Sequence, residues 1–168
     1  MLRSLVFVIG MAAAAAGSLP ARAADGSGLF IQNCLMCHQS GAVGLPGQFP
    51  RLAGRVAAIS SRPKGRAYLI DVLTYGMAGK ITVDDQPIMG LMPPFAQLSN
   101  DDVAGVLSYV QSLDVTPGGA PLGGTPRGGP PPVFTAEEVR AGRSATSVKS
   151  ATDVRAERQS LEDAKIIQ

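Results

Sequence analysis

The chain has 168 residues, with 15 Lys and Arg, 13 Asp and Glu, two Cys and one His. Arg3 and Arg22 fall in a segment that reads as removable, which leaves 13 basic against 13 acidic side chains. That balance argues against nucleic acid or an anionic membrane surface as partner. The two cysteines stand one helical turn apart, where a disulfide would staple almost nothing.

At the N-terminus Arg3 precedes an apolar run from Leu5 to Ala16, then Pro20 and the small-x-small sequence Ala21-Arg22-Ala23. The pattern predicts a secretory signal peptide over residues 1–23, cleaved after Ala23. A run of 12 residues falls short of the roughly 20 that a membrane-spanning helix needs, so no stable membrane span is expected. A first helix is predicted from Gly26 into the cysteine motif, with Phe30 and Cys34 four apart on one face.

Cys34-Leu35-Met36-Cys37-His38 contains every Cys and His of the chain. At this spacing two thiols can add to the vinyl groups of heme while the adjacent imidazole reaches the iron, so the motif predicts one heme c, covalent through Cys34 and Cys37, with His38 as a metal ligand. The rival reading is a thioredoxin-like redox pair. It requires the Cys-x-x-Cys to follow a strand and open a helix, whereas the residues before Cys34 read as helix. Heme attachment of this kind takes place outside the bacterial inner membrane, which agrees with export and predicts a periplasmic location.

A second helix is expected over Arg66 to Tyr75, with Tyr68, Leu69, Val72 and Leu73 as its apolar stripe and Gly76 as its stop. A third begins at Ser99 or Asn100 as N-cap and places Asp101 and Asp102 in the first turn, where the helix dipole favours carboxylates. It turns Val103, Val106, Leu107 and Val110 inward and ends near Leu113. Few strand signals stand between these segments, so the expectation is an all-α domain over residues 24–115, in which heme supplies the apolar volume that a small core lacks. With no second His, the other axial position falls to Met, Lys, a terminal amine, water or nothing. The methionines available are Met36, Met77, Met89 and Met92.

In residues 116–132, 12 of 17 are Gly or Pro, which predicts a semi-extended linker. It leads to a C-terminal tail, 133–168, partly helical or disordered. Thr135-x-x-Glu138 fits a capping box, and Thr152 to Ile167 fits a further helix.

Gly90-Leu91-Met92-Pro93-Pro94-Phe95, followed by Leu98 to Asp102 and then Val106 to Val110, resembles the distal Met loop and C-terminal helix of class I cytochromes c. Gly26 and Phe30 resemble the N-terminal helix positions that cross that helix at Val106 and Tyr109. Pro50-Arg51-Leu52 resembles the family's Pro-x-Leu segment. The resemblance implies a cytochrome c-like fold of three main helices around one covalently bound heme. It implies Met92 as the second iron ligand, with Met89 as the fallback, and Pro50 as the carbonyl that accepts the hydrogen bond of the His38 ring. Such ligation saturates the iron, which implies an electron carrier rather than an enzyme, with no catalytic residues, working among redox protein partners: a dehydrogenase donor and an oxidase or cytochrome acceptor.

The segment Phe134 to Val139 resembles the end of cytochrome subunits that accept electrons from periplasmic dehydrogenases. Docking through 133–168 on a catalytic subunit is the alternative role that this implies. A peroxidase or gas sensor, which needs an open distal site, is the more distant one. Arg51, Arg55, Arg62, Lys64 and Arg66 form a basic cluster that is either a docking surface or a solvated loop.

Overall fold

The computed structural model describes residues 24–113, 132–145 and 148–167. The expected signal peptide, 1–23, and all but the last residue of the expected linker, 116–132, lie outside the described residues.

Helix α1, Gly26–Asn33, is capped by the Asp25 carboxylate, which accepts from the Gly28 amide at 2.9 Å. It crosses α5, Asn100–Ser112, near the end of the domain. The crossing is close because both helices present glycine: a Cβ at Gly26 would stand 2.2 Å from the Gly105 carbonyl oxygen and 2.8 Å from the Tyr109 Cβ. The rings of Phe30 and Tyr109 close the contact, tilted by 55° with centroids 5.6 Å apart. The expected partners of Gly26 and Phe30 were Val106 and Tyr109; Gly105 completes the crossing. Helix α5 opens on a capping box in which the Ser99 hydroxyl accepts from the Asp102 amide and the Asp102 carboxylate accepts from the Ser99 amide.

Between these helices lie α2, Leu35–His38, then α3, Arg55–Ser60, and α4, Pro63–Tyr75. Proline sits in the first turn of α4, where its missing N–H costs nothing, and Gly76 ends it with a φ of +73°. The core gathers Phe30, Ile70, Val103, Val106 and Leu107 from α1, α4 and α5.

Two departures from an all-α domain of three helices follow. A β-hairpin, β1 Met77–Val83 and β2 Gln86–Met92, stands where no strand was expected, and its second strand takes in much of the expected Met loop. Its strands pair antiparallel with Met77 opposite Met92 and Val83 opposite Gln86. The two-residue turn Asp84-Asp85 takes φ of +51° and +59°, the left-handed pair that matches strand twist in a tight hairpin. Ile81, Val83 and Ile88 form a small apolar cluster of its own, against which Met77 packs.

The second departure is the tail. Helices α6, Ala136–Ala145, and α7, Ala151–Asp163, form where capping residues lead them: the Glu138 amide donates to the Thr135 hydroxyl at 3.1 Å, and Ser150 and Asp153 make a capping box. Both helices return to the domain, α6 onto α4 and α5, α7 onto α4 and β1. Val139 and Val154 are fully buried in the same core as Phe30, and Phe134, Leu161 and Ile167 join it. The buried apolar residues of the tail thus pack within the chain. Polar ties accompany it. Arg66 forks onto the Glu138 carboxylate at 2.6 and 2.7 Å, Lys149 reaches the buried Asp71 at 2.7 Å, and Arg143 donates to the Leu98 carbonyl at 3.0 Å and the Asn100 side chain at 2.8 Å.

The basic cluster is reorganised by these contacts. Arg51 and Arg55 pair with Asp84, and Arg66 pairs with Glu138 while lying over the Phe134 ring. Three of the five cations are therefore engaged inside the molecule, and Arg62 and Lys64 stand exposed. Opposite charges supplied by distant segments, Asp84 and Glu138, could not be assigned to these arginines from local sequence.

Candidate functional site

Cys34 ends α1, its amide donating to the Phe30 carbonyl at 2.8 Å, and the chain turns at once into α2. One turn of helix then sets Cys34, Cys37 and His38 along one wall of a cleft, the His38 amide donating to the Cys34 carbonyl at 2.9 Å. Ile81 and Ile88 of the hairpin and Phe95 line the cleft elsewhere, and its lining is predominantly apolar.

His38 is buried, and its Nδ1 lies 3.0 Å from the Pro50 carbonyl oxygen. A carbonyl can only accept, so Nδ1 carries the hydrogen and Nε2 keeps its lone pair for a ligand. Burial lowers the proton affinity of this imidazole, against the smaller opposing effect of the Pro50 hydrogen bond. Burial, and then the neighbouring Cys37, push the Cys34 thiol up to about 11. Before heme is attached, that sulfur is a thiol at neutral pH.

Met92 and Met77, cross-strand partners, both line the cleft. The Tyr68 hydroxyl donates to the Met77 sulfur at 3.4 Å. Met89 is 73% exposed and lies outside the cleft lining, while Met36 sits at the rim, 87% exposed. Cys34, Cys37, His38, Pro50 and Met92, expected from sequence to act together, thus meet at one cleft. Met92 ends a strand rather than sitting in a free loop, and the chain leaves it through Pro93 and Pro94 and is fastened by the Phe95 amide, which donates to the Leu73 carbonyl at 2.7 Å. Sequence reasoning missed the walls that the hairpin supplies. The alternation Ile81-x-Val83 around a short polar turn was the available signal.

The donor set fits heme c: two thiols one helical turn apart, an imidazole with its far nitrogen free, a thioether, and apolar walls between them. A cleft so built is that of a monoheme class I c-type cytochrome, with heme c held covalently at Cys34 and Cys37. Residues 21–110, more than half of the chain, match the family described as cytochrome c oxidase, cbb3-type, subunit III, and the chain belongs to that family. It is also similar to a cytochrome c-552 of Thermus thermophilus, 45% identical over 94 residues that make up 56% of this chain and 63% of that protein. A second cytochrome c-552 of Thermus thermophilus is 46% identical over 87 residues, 52% of this chain and 66% of that protein. The match spans just under two thirds of each relative's length.

Proposed function

We infer that the protein is an electron carrier in which His38 Nε2 and Met92 Sδ would hold the iron of a single heme c. Heme supplies reversible one-electron chemistry at its iron. The chain's own residues hold it still and choose its surroundings. Cys34 and Cys37 fix its edge, the Pro50 carbonyl orients the imidazole and raises its donor strength, and the apolar walls exclude water. A thioether together with an imidazole would favour the reduced state relative to two nitrogen ligands, which suits a protein that receives electrons and passes them on. With His38 and Met92 both committed to the iron, no substrate would reach it, and transfer would be outer-sphere.

The observation that carries this reading is the meeting of the Cys-x-x-Cys-His turn and Met92 on one apolar cleft. Export through residues 1–23 to the periplasm, a dehydrogenase as donor and the respiratory chain as destination complete the proposal. The test is the absorption spectrum of the purified heme-loaded protein with Met92→Ala beside it. A low-spin ferric form with the Met-to-iron charge-transfer band, lost in the variant, is the expected result. A high-spin parent spectrum would overturn the carrier reading.

A further inference from the structure

Arg51 follows the proline whose carbonyl holds the His38 ring, and its side chain is buried, 9% exposed. A guanidinium in such a place needs partners for its N–H groups. It finds them in two directions. Nη1 donates to the Ala53 carbonyl at 2.6 Å, within its own loop, while Nε and Nη2 form a parallel fork onto the two Asp84 oxygens at 2.9 and 2.8 Å. Arg55 adds a longer contact to the same carboxylate at 3.5 Å.

Asp84 is the first residue of the hairpin turn, 33 positions further along the chain. The strand that leaves this turn is β2, and its last residue is Met92. A two-stranded hairpin has little stability of its own. This one is held along β1 by α7 and at its turn by the Arg51 fork. The peptide that supports the His38 ring is therefore tied, through one residue and one ion pair, to the strand that presents Met92.

We propose that the Arg51–Asp84 ion pair is a positioning clasp: it fixes the Met92 strand relative to the Pro50–His38 support and so sets how readily the second axial ligand gives way. The inference rests on Met92 as that ligand. Neither residue touches heme in this role. Both act through backbone that they anchor. A charge-assisted bidentate pair with one buried partner is strong enough for its loss to be read as about a ten-fold effect on a local equilibrium.

The test uses the full-length, heme-loaded ferric protein titrated with imidazole, which competes for the Met position, and follows the Met-to-iron charge-transfer band. Asp84→Asn is the first variant, because asparagine tolerates the left-handed φ and keeps the turn. Arg51→Lys is the second, since it keeps the charge and removes the fork. Each is expected to bind imidazole about ten-fold more tightly than the parent, and the double variant is expected to do so no more than either alone. Glu138→Gln breaks an ion pair between α4 and α6 and serves as the control; it should leave imidazole binding within about two-fold of the parent, even where it lowers the melting temperature. Imidazole affinity unchanged in Asp84→Asn, or raised as much in Glu138→Gln, overturns the clasp while leaving the ligand assignment standing. A parent without the charge-transfer band overturns both.

Discussion

Gly76 and Met92 meet backbone to backbone: a Cβ at Gly76 would lie 2.4 Å from the Met92 carbonyl oxygen and 2.9 Å from the Pro94 nitrogen. The residue that stops α4 is thus also the surface over which the Met92-Pro93-Pro94 segment passes. Its left-handed φ and its lack of a side chain are both required there.

Gly76→Ala is expected to lower stability by about 1–3 kcal/mol, from left-handed strain and forced separation of the two segments. The Met-to-iron band should weaken in parallel, because the segment pushed away carries the sulfur. Thermal melts and the ferric spectrum check both outcomes. A variant with reduced stability and an undiminished band would place the strain elsewhere.

Gly26→Val tests the crossing of α1 and α5. The carbonyl oxygen of Gly105 stands 2.2 Å from the site of a new Cβ, so the helices must separate and the Phe30–Tyr109 contact must loosen. A loss of about 1–3 kcal/mol or more in denaturant unfolding is expected, as for other overpacked cores.

Acid should act through Asp84. The hydrogen bonds from Arg51, only partly opposed by desolvation, hold its carboxyl below the usual carboxylate range. A depressed folded-state value means that the stabilisation is fully present above the unfolded value, about 3.9, and is lost as pH falls through the folded value. Asp84→Asn should therefore be less stable than the parent at neutral pH, with the gap closing below about pH 4. Denaturant unfolding across that range measures it, and a gap of constant size down to strong acid would remove the carboxylate from the account.

Val154→Ala tests the tail as part of the core. Val154 is fully buried against residues of the heme-binding domain, so the cavity should cost about 1–3 kcal/mol in the global unfolding transition. If the tail were an independent appendage, the main transition would not move.

The helices that sequence made legible are those with both a periodic apolar face and a chemical stop. The Arg66 to Tyr75 stripe ends at Gly76, and Ser99 with Asp102 announces α5. The attachment motif was legible because its chemistry is local, five residues long. Its following proline sets Met92 apart from Met89 in the sequence; in the structure Met92 lines the cleft, as Met77 does, and Met89 does not.

The hairpin was hidden for a physical reason. Its turn is Asp-Asp rather than the glycine-containing pair that advertises a tight hairpin, and Pro87 and Gly90 weaken β2 as a strand pattern. What stabilises it is tertiary: the β1 contact with α7 and the fork from Arg51. The tail helices were partly visible through Thr135 and the Thr152 to Ile167 pattern, yet their destination was not. Nothing local in Val139 or Val154 says which apolar surface will receive it.

Three of the tail's polar ties share a similar spacing. Glu138 lies 72 residues from Arg66, Lys149 lies 78 from Asp71, and Arg158 lies 76 from Thr82, whose carbonyl it reaches at 3.2 Å. Closing any one of these loops carries most of the entropic cost of closing all three, since that cost grows only with the logarithm of loop length and the later ties begin almost in register. The two C-terminal helices should therefore dock in a single concerted event, with half-docked states sparsely populated, and amide exchange in α6 and α7 should slow together.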